Sequence, residues 1–232
     1  PRSINMKSLR NMWQPGLEGI QQFGWSYNNE DNPYMTAKYM TNGQKKDHIM
    51  GHGALNYQIT NELSLKVRTG IDLYHENLPS KRFANTRQST YGAYWEYNNY
   101  YREINSDFLL SYNKQANENW HFSATVGGNR MTMDTRGNYI GAAQLQVPGV
   151  YNVSNVRGTV AASSSTYSKQ INSLYGMGQV SYKNMIYLDV TGRNDWSSTL
   201  PAANNSYFYP SVSISGIITQ IFALPDYISF AK

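Results

Sequence analysis

The feature that most constrains the fold of this chain is an unbroken alternation of apolar and polar residues over positions 63–74. The odd positions carry Leu, Val, Thr or Ile, and the even positions carry Ser, Lys, Arg, Gly, Asp or Tyr. Alternation with period two marks a β-strand whose two faces meet different surroundings. The run is longer than the about five or six residues typical of soluble strands. It therefore predicts a strand of membrane-crossing length, for which about 9–11 residues are needed.

The same alternation recurs in pairs of segments that are joined by short polar turns, near residues 61, 116, 184 and 223. A turn over residues 183–185 would place Tyr182 opposite Ile186 and Val180 opposite Leu188, so that both apolar sets share one face. A last strand is predicted to begin at Tyr227. Between the pairs lie long stretches rich in Asn, Ser, Gly and Tyr, at about 75–99, 131–167 and 193–207.

Short turns at one end of the strands and long loops at the other are typical of outer-membrane barrels. We therefore predict an all-β fold, namely an antiparallel up-and-down segment of a transmembrane β-barrel with about 7–8 strands. The turns would be periplasmic and the loops extracellular. Residues 1–44 are interpreted as an extracellular loop region and residues 45–232 as barrel strands and loops. The alternative is a soluble all-β carbohydrate-binding or adhesive domain, which also alternates.

The composition favours the membrane interpretation and excludes several other classes. Only 15% of the residues are charged, against about 25% in soluble domains. Tyr accounts for 20 residues, and its amphipathic ring suits the membrane–water boundary. Because the chain has no Cys, it cannot form a disulfide scaffold, a thiolate metal site or a cysteine nucleophile. Its net charge of +5 is scattered along the sequence, so we expect no nucleic-acid partner.

No pattern of catalytic, cofactor-binding or metal-binding residues is recognisable. The sequence has no phosphate loop, no dinucleotide-binding motif and no nucleophile elbow. His48 and His52 share a strand face but lie about 13 Å apart at the rise of a strand, which is too far for joint coordination. We therefore predict a noncatalytic protein that uses no cofactor and no metal.

Three groups of residues are candidates for substrate contact. Lys66, Arg68 and Asp72 lie on the polar face of one predicted strand, where they either pair with charges on neighbouring strands or contact substrate. The segment Arg193, Asn194, Asp195 and Trp196 lies where a strand leaves the membrane, and it either braces the following loop or contacts substrate. An extracellular aromatic cluster on a predicted loop, suited to sugar stacking or to interface packing, contains Tyr91, Tyr94, Trp95, Tyr97, Tyr100 and Tyr101.

Two stretches of sequence carry a family likeness. Residues 191–201, with the sequence TGRNDWSSTLP, and residues 204–213, with the sequence NNSYFYPSVS, resemble the barrel signature of SusC/RagA-type TonB-linked outer-membrane proteins. Shorter matches agree, among them residues 102–105, 127–130, 147–152, 171–173 and 224–226. The likeness covers about residues 30–232.

The resemblance implies active nutrient uptake across the outer membrane of a Gram-negative bacterium. Members of this family are TonB-dependent receptors with large barrels of about 22 strands, which are filled by an N-terminal plug and covered by a SusD-like surface lipoprotein. They import oligosaccharides or peptides with energy delivered through TonB. We expect this chain to be an internal barrel fragment that contacts outer-membrane lipid and lacks the plug domain and the TonB-contacting region.

Overall fold

The computed structural model describes residues 5–24, 30–87 and 89–222, and in this part of the chain the dominant element is one antiparallel sheet of seven strands. The strands pair in sequence order, as predicted for an up-and-down segment. Their bounds are β1 Lys45–Gln58, β2 Leu63–Arg82, β3 Ala93–Gln115, β4 Trp120–Ala142, β5 Ala161–Tyr182, β6 Ile186–Ser197 and β7 Ser206–Gly216. The α-helices are α1 Pro33–Tyr39 and α2 Ile218–Ile221, with 3-10 turns at Ser8–Arg10 and Ala202–Asn204. No described helix is long and apolar enough to cross a membrane.

The short turns lie where the sequence predicted them. Between β5 and β6, Tyr182 pairs with Ile186 and Val180 with Leu188, which confirms the predicted register. The turn itself places Lys183 and Asn184 at φ values of 52° and 55°, a left-handed conformation that Asn tolerates better than most residues. In the turn between β3 and β4, the Asn117 side chain accepts hydrogen bonds from two backbone N–H groups that follow it. The predicted turn near residue 223 and the strand from Tyr227 lie outside the described residues.

The long connections are shorter than predicted, because the strands continue well into them. The predicted loops at about 75–99, 131–167 and 193–207 shrink to connections at 83–92, 143–160 and 198–205. Alternation stops near residue 74 although β2 runs on to Arg82. Backbone pairing requires no alternation, and a strand that is polar on both faces gives no periodic signal. The sequence therefore locates the ends of the two-faced region of each strand and not the ends of the strand.

The chain forms two compact units, and the second unit comprises Ile49–Leu73, Arg102–Asp134 and Ser168–Lys232. Within this unit the sheet has a polar face and an apolar face. The apolar face is uncovered, with Val190 47% and Val212 69% exposed. Further exposed side chains on this face are Ile49, Leu55, Val67, Ile71, Phe108, Leu110, Phe122, Val126, Leu174, Leu188 and Ile214. A soluble sandwich would cover such a face with a second layer, so the exposure of this unit speaks against the soluble alternative.

The first unit comprises Pro1–His48, Tyr74–Tyr101 and Thr135–Tyr167, and it contains a small conventional core. Leu9, Met35 and Leu145 are at most 2% exposed there. The rings of Trp13, Tyr39 and Phe83 pack against one another with centroids 5.0–5.7 Å apart. Residues 5–24 and 30–44 therefore form a folded part of this core, with one helix that the interpretation as a loop region did not anticipate.

A single buried amide organises this core. The Asn32 side chain is fully buried; its Nδ2 donates to the carbonyl oxygens of Leu9 at 3.1 Å and Phe23 at 3.0 Å. Its Oδ1 accepts from the backbone N–H of Tyr34 at 2.9 Å, which caps the N-terminus of α1. One side chain thus satisfies three backbone groups that would otherwise lose their partners away from water.

Replacing Asn32 with Ala should unfold this segment locally. The buried carbonyl group of Leu9, the partly buried carbonyl group of Phe23 and one helix N–H group lose their partners, at a cost of about 2–4 kcal/mol. Hydrogen exchange should become faster over residues 30–40 in Asn32→Ala. The exposed Asn11 serves as the matched site, and Asn11→Ala should leave the exchange rates unchanged. Equal protection in both variants would contradict the assigned role of Asn32.

Candidate functional site

The polar face of the second unit carries a groove of about 470 Å³. Strands β1 to β6 all contribute to it, because each strand turns every second side chain toward this face. The residues that line it are His52, Arg68, Thr69, Gly70, Asn105, Asp107, Asn129, Tyr175 and Arg193. We call this the polar groove. It combines two guanidinium groups, one carboxylate, one imidazole and two amides in a single concave surface.

Arg68 and Asp107 form a bidentate ion pair in the groove. Nε of Arg68 lies 2.8 Å from Oδ1 of Asp107, and Nη2 lies 2.6 Å from Oδ2, so the contact is bidentate across β2 and β3. Bidentate pairs of this kind add geometric specificity to the charge interaction. The contact agrees with the interpretation that charges on the polar face pair between neighbouring strands.

Arg193 forms hydrogen bonds with a residue of its own strand, β6, and with a residue of the neighbouring strand, β5. Its Nε donates to Oδ1 of Asp195 at 2.7 Å, and its Nη2 donates to Oγ of the buried Ser173 at 3.0 Å. The guanidinium carbon lies 5.5 Å from the centre of the Tyr175 ring. The side chain is 47% exposed, so its charge stays accessible to a ligand in the groove.

Two of the charges predicted on β2 lie outside the polar groove. Asp72 lines a neighbouring depression of about 420 Å³, together with Met50, His52 and Glu103. Lys66 shares the face of Arg68 by strand alternation but does not line the groove. Of the predicted charged residues, Arg68 and Arg193 thus line the polar groove together, whereas Lys66 and Asp72 do not line it.

The side chains of the candidate segment Arg193–Trp196 are divided between the two faces of the sheet. The segment lies within β6, so consecutive side chains point to opposite faces. Arg193 and Asp195 face the polar groove side, whereas Asn194 and Trp196 share the other face with Val190. Asn194 exchanges hydrogen bonds with Ser206 of β7 at 2.9 and 3.2 Å, and Trp196 is 38% exposed.

The aromatic cluster needs correction, because it is neither on a loop nor a single cluster. Only Tyr91 lies in a connection; Tyr94, Trp95, Tyr97, Tyr100 and Tyr101 lie on β3 and alternate between its faces. Their partners differ accordingly. Tyr101 stacks on Tyr74 at 4.9 Å, Tyr97 packs on Tyr139 at 4.9 Å, and Tyr94 lies 6.4 Å from Tyr151. Because residues 94–101 are aromatic or polar on both faces of the strand, they show no alternation of apolar and polar residues. The sequence therefore suggested a loop.

Two ionisable groups of the first unit have shifted pKa values. Burial, together with a hydrogen bond to Glu96, raises the pKa of Tyr94 to about 12. Hydrogen bonds from Gln44 and Asn99 lower the pKa of Glu76 and favour its carboxylate form. Among the described residues, no group of His, Asp and Glu is arranged to hold a metal ion.

The groove residues that the sequence interpretation did not select as candidates include Asn105, Asn129 and Tyr175. Each lies at an odd position of its strand, on the same side as Asp107, Thr125 or Ser173. The alternation therefore contained a signal for their direction. Their meeting in one groove depends on how β3, β4 and β5 pair, which alternation does not specify.

Exchanging the charges of the central pair tests whether Arg68 and Asp107 act on each other. Arg68→Asp and Asp107→Arg should each lower the midpoint of urea unfolding, because each places like charges across β2 and β3. The double variant should recover most of that loss, since the pair is re-formed in reverse. Additive losses in the double variant would mean that the two side chains contribute independently.

Comparisons with known proteins find the fold and no sequence match. No family model and no curated protein matches the sequence. A chain in the structure of the RagAB peptide transporter superposes with a TM-score of 0.75 at 18% identity, covering 86% of this chain and 23% of that one. The RagAB peptide importer in its 'open-open' state gives 0.74 at 18% identity, over the same shares of the two chains. Its 'closed-closed' state gives 0.70 at 19% identity, covering 87% and 23%.

The chain thus spans about a quarter of the length of these neighbours. Identities near 18% establish the fold alone. The comparison confirms the predicted all-β architecture, and at the level of the fold it confirms the resemblance that residues 191–213 suggested. The described sheet is open, with β1 and β7 as its edges, and this chain has the fold of a seven-stranded segment of the barrel in the RagAB transporter chains.

Proposed function

We propose that this chain forms part of the barrel wall of a TonB-dependent importer in the outer membrane of a Gram-negative bacterium. The observation that carries the proposal is the two-faced sheet of the second unit, with an uncovered apolar face and a grooved polar face. Such a sheet suits a wall between lipid and an aqueous interior. The alternating segment of residues 63–73 carries its apolar side chains on one face and is about 33 Å long. At a strand tilt of about 40° this segment spans about 25 Å of membrane. That height matches the apolar band of outer-membrane barrels.

Aromatic side chains at the ends of the apolar face support the same assignment. Tyr57, Tyr112, Trp120 and Tyr182 lie on this face next to the short turns, and the rings of Trp120 and Tyr182 are 4.8 Å apart. At the other end of the face, Trp196 follows Val190 on β6. Girdles of amphipathic rings at both boundaries are characteristic of transmembrane barrels.

The polar groove would contact the transported molecule or the plug that fills the barrel. Its paired and exposed guanidinium groups suit the carboxylates and carbonyl groups of peptides, and its amides suit sugar hydroxyls as well. The solved neighbours are described as a peptide transporter, which favours peptides over oligosaccharides. A SusD-like lipoprotein lid and coupling to TonB through a plug complete the proposed importer.

Uptake of a labelled peptide by cells that carry the protein tests this function. A protonophore should abolish uptake, because TonB draws on the inner-membrane gradient. Arg68→Gln combined with Arg193→Gln should lower uptake while the protein stays in the outer-membrane fraction. Lys169→Gln is the matched control, since Lys169 is on the polar face of β5 and does not line the groove. Uptake that persists with the protonophore, or a protein that remains dispersed without detergent, would contradict the proposal.

A further inference from the structure

A second groove, of about 390 Å³, opens on the apolar face of the second unit. Its apolar wall consists of Val67, Phe108 and Leu174, which are 42%, 43% and 52% exposed. Gly128 provides the space beneath the ring of Phe108, because a Cβ atom there would lie 2.6 Å from Cε1 of that ring. The polar residues that line the same groove are Ser106, Asp107, Asn129, Arg130 and Ser173. The hydroxyl groups of Ser106 and Thr69 lie 3.1 Å apart and share a hydrogen bond. We call this second groove the outer groove.

Arg130 is unusual among the arginines of this unit. Arg68, Arg102 and Arg193 each form an ion pair with an aspartate. The contact of Arg130 is a hydrogen bond from Nη2 to the amide oxygen of Gln170, at 3.2 Å. Among the described residues, no carboxylate lies within ion-pair distance of it. Asp107 also lines this groove, but its carboxylate is paired with Arg68. In the described part of the chain, the positive charge of Arg130 therefore borders the groove without an ion-pair partner.

The position of Arg130 along β4 strengthens this point. The residues before it on the same face are Phe122, Ala124, Val126 and Gly128, and those after it are Thr132 and Asp134. Arg130 thus marks the point where the face changes from apolar to polar. In a membrane-spanning strand this is the level of the lipid headgroups, where long basic side chains reach phosphates.

We propose that the outer groove binds an anionic lipid, with an acyl chain along Val67, Phe108 and Leu174 and the headgroup phosphate on Arg130. The proposal rests on the proposed function, since it needs the apolar face to contact a bilayer. It adds a site on the lipid side of the wall, which the polar groove and peptide transport do not involve. Ser106 would supply a hydroxyl hydrogen bond to the same phosphate.

Native mass spectrometry of the protein in detergent tests this site with two probes, dimyristoyl phosphatidylglycerol and dimyristoyl phosphatidylcholine. The wild-type protein should retain the anionic lipid in preference to the zwitterionic one. Arg130→Gln should weaken retention of phosphatidylglycerol about tenfold, the effect of losing one charge-assisted hydrogen-bonding group. Ser106→Glu should weaken it as well, because it supplies the carboxylate that Arg130 lacks.

Arg136→Gln is the matched control, because Arg136 is an exposed arginine of the same strand that belongs to the first unit and does not line the outer groove. It should retain both lipids as the wild type does. Equal retention of the two lipids by the wild type, or equal losses in the Arg130 and Arg136 variants, would overturn the proposed site and leave the barrel assignment intact. A protein that stays folded and monomeric without detergent would overturn the barrel assignment itself.

Discussion

Replacing Val190 with Arg should destabilise this sheet in a bilayer. Val190 is central on the apolar face of β6, opposite Gly178 of β5 and Val212 of β7. A guanidinium group at the midplane of a lipid-facing barrel surface costs about 2–4 kcal/mol. Val190→Arg should therefore lower the stability of the protein in lipid vesicles by about that amount, measured by urea unfolding.

Thr191→Arg is the matched control for this substitution. Thr191 follows Val190 directly, but strand alternation turns it to the polar face, opposite Met177 and Ser211. Arginine there stays in water and should change the stability little. If the two variants lost the same stability, the two faces of β6 would not differ in their surroundings.

Valine at position 127 should disrupt the sheet at the polar groove. A Cβ atom on Gly127 would lie 2.6 Å from Cε2 of Tyr175 and 2.8 Å from the backbone oxygen of Phe108. The ring can move, but the oxygen belongs to the paired strand β3. Overpacking of this kind costs about 3 kcal/mol. Gly127→Val should unfold at lower urea concentration, and it should lose the wall of the polar groove that Tyr175 forms.

Two further variants separate the clash at Gly127 from a general effect of valine in a strand. Gly53→Val adds the same side chain to β1, where no atom lies within 4 Å of the new Cβ, and it should be neutral or slightly stabilising. Combining Gly127→Ala with Tyr175→Ala should recover part of the loss of Gly127→Ala alone, because only the contact with the backbone oxygen remains. Fully additive losses would show that the ring of Tyr175 is not what Gly127 accommodates.

The sequence predicts the faces of this sheet well and the strand ends poorly, for one physical reason. Where one face is apolar and the other polar, as at residues 63–74, alternation follows directly from the surroundings. Beyond that region most residues of β2, β3 and β4 are polar or aromatic on both faces, and the strict alternation ends while backbone pairing continues. The aromatic residues 94–101 were therefore interpreted as a loop although they lie on β3.

Only part of the candidate site could be predicted from the sequence, for a related reason. Alternation identifies Arg68 and Arg193 as residues of the polar face, but only the pairing of six strands brings them to one groove with Tyr175. The sequence also contains no sign that Arg102 pairs with Asp134 while Arg130 has no acidic partner among the described residues. Cross-strand partners depend on register, and register was predictable only at the tight turn of residues 183–185, where the turn length determines it.

The two faces of the sheet are tested most directly by the accessibility of single cysteines along β6. The chain contains no cysteine, so each substitution gives one unique label site. With the protein in outer membranes and a water-soluble, membrane-impermeant maleimide, we expect Asp189→Cys and Thr191→Cys to react and Leu188→Cys and Val190→Cys not to react. Equal labelling of all four positions would contradict the central claim that one face of this sheet meets lipid and the other meets water.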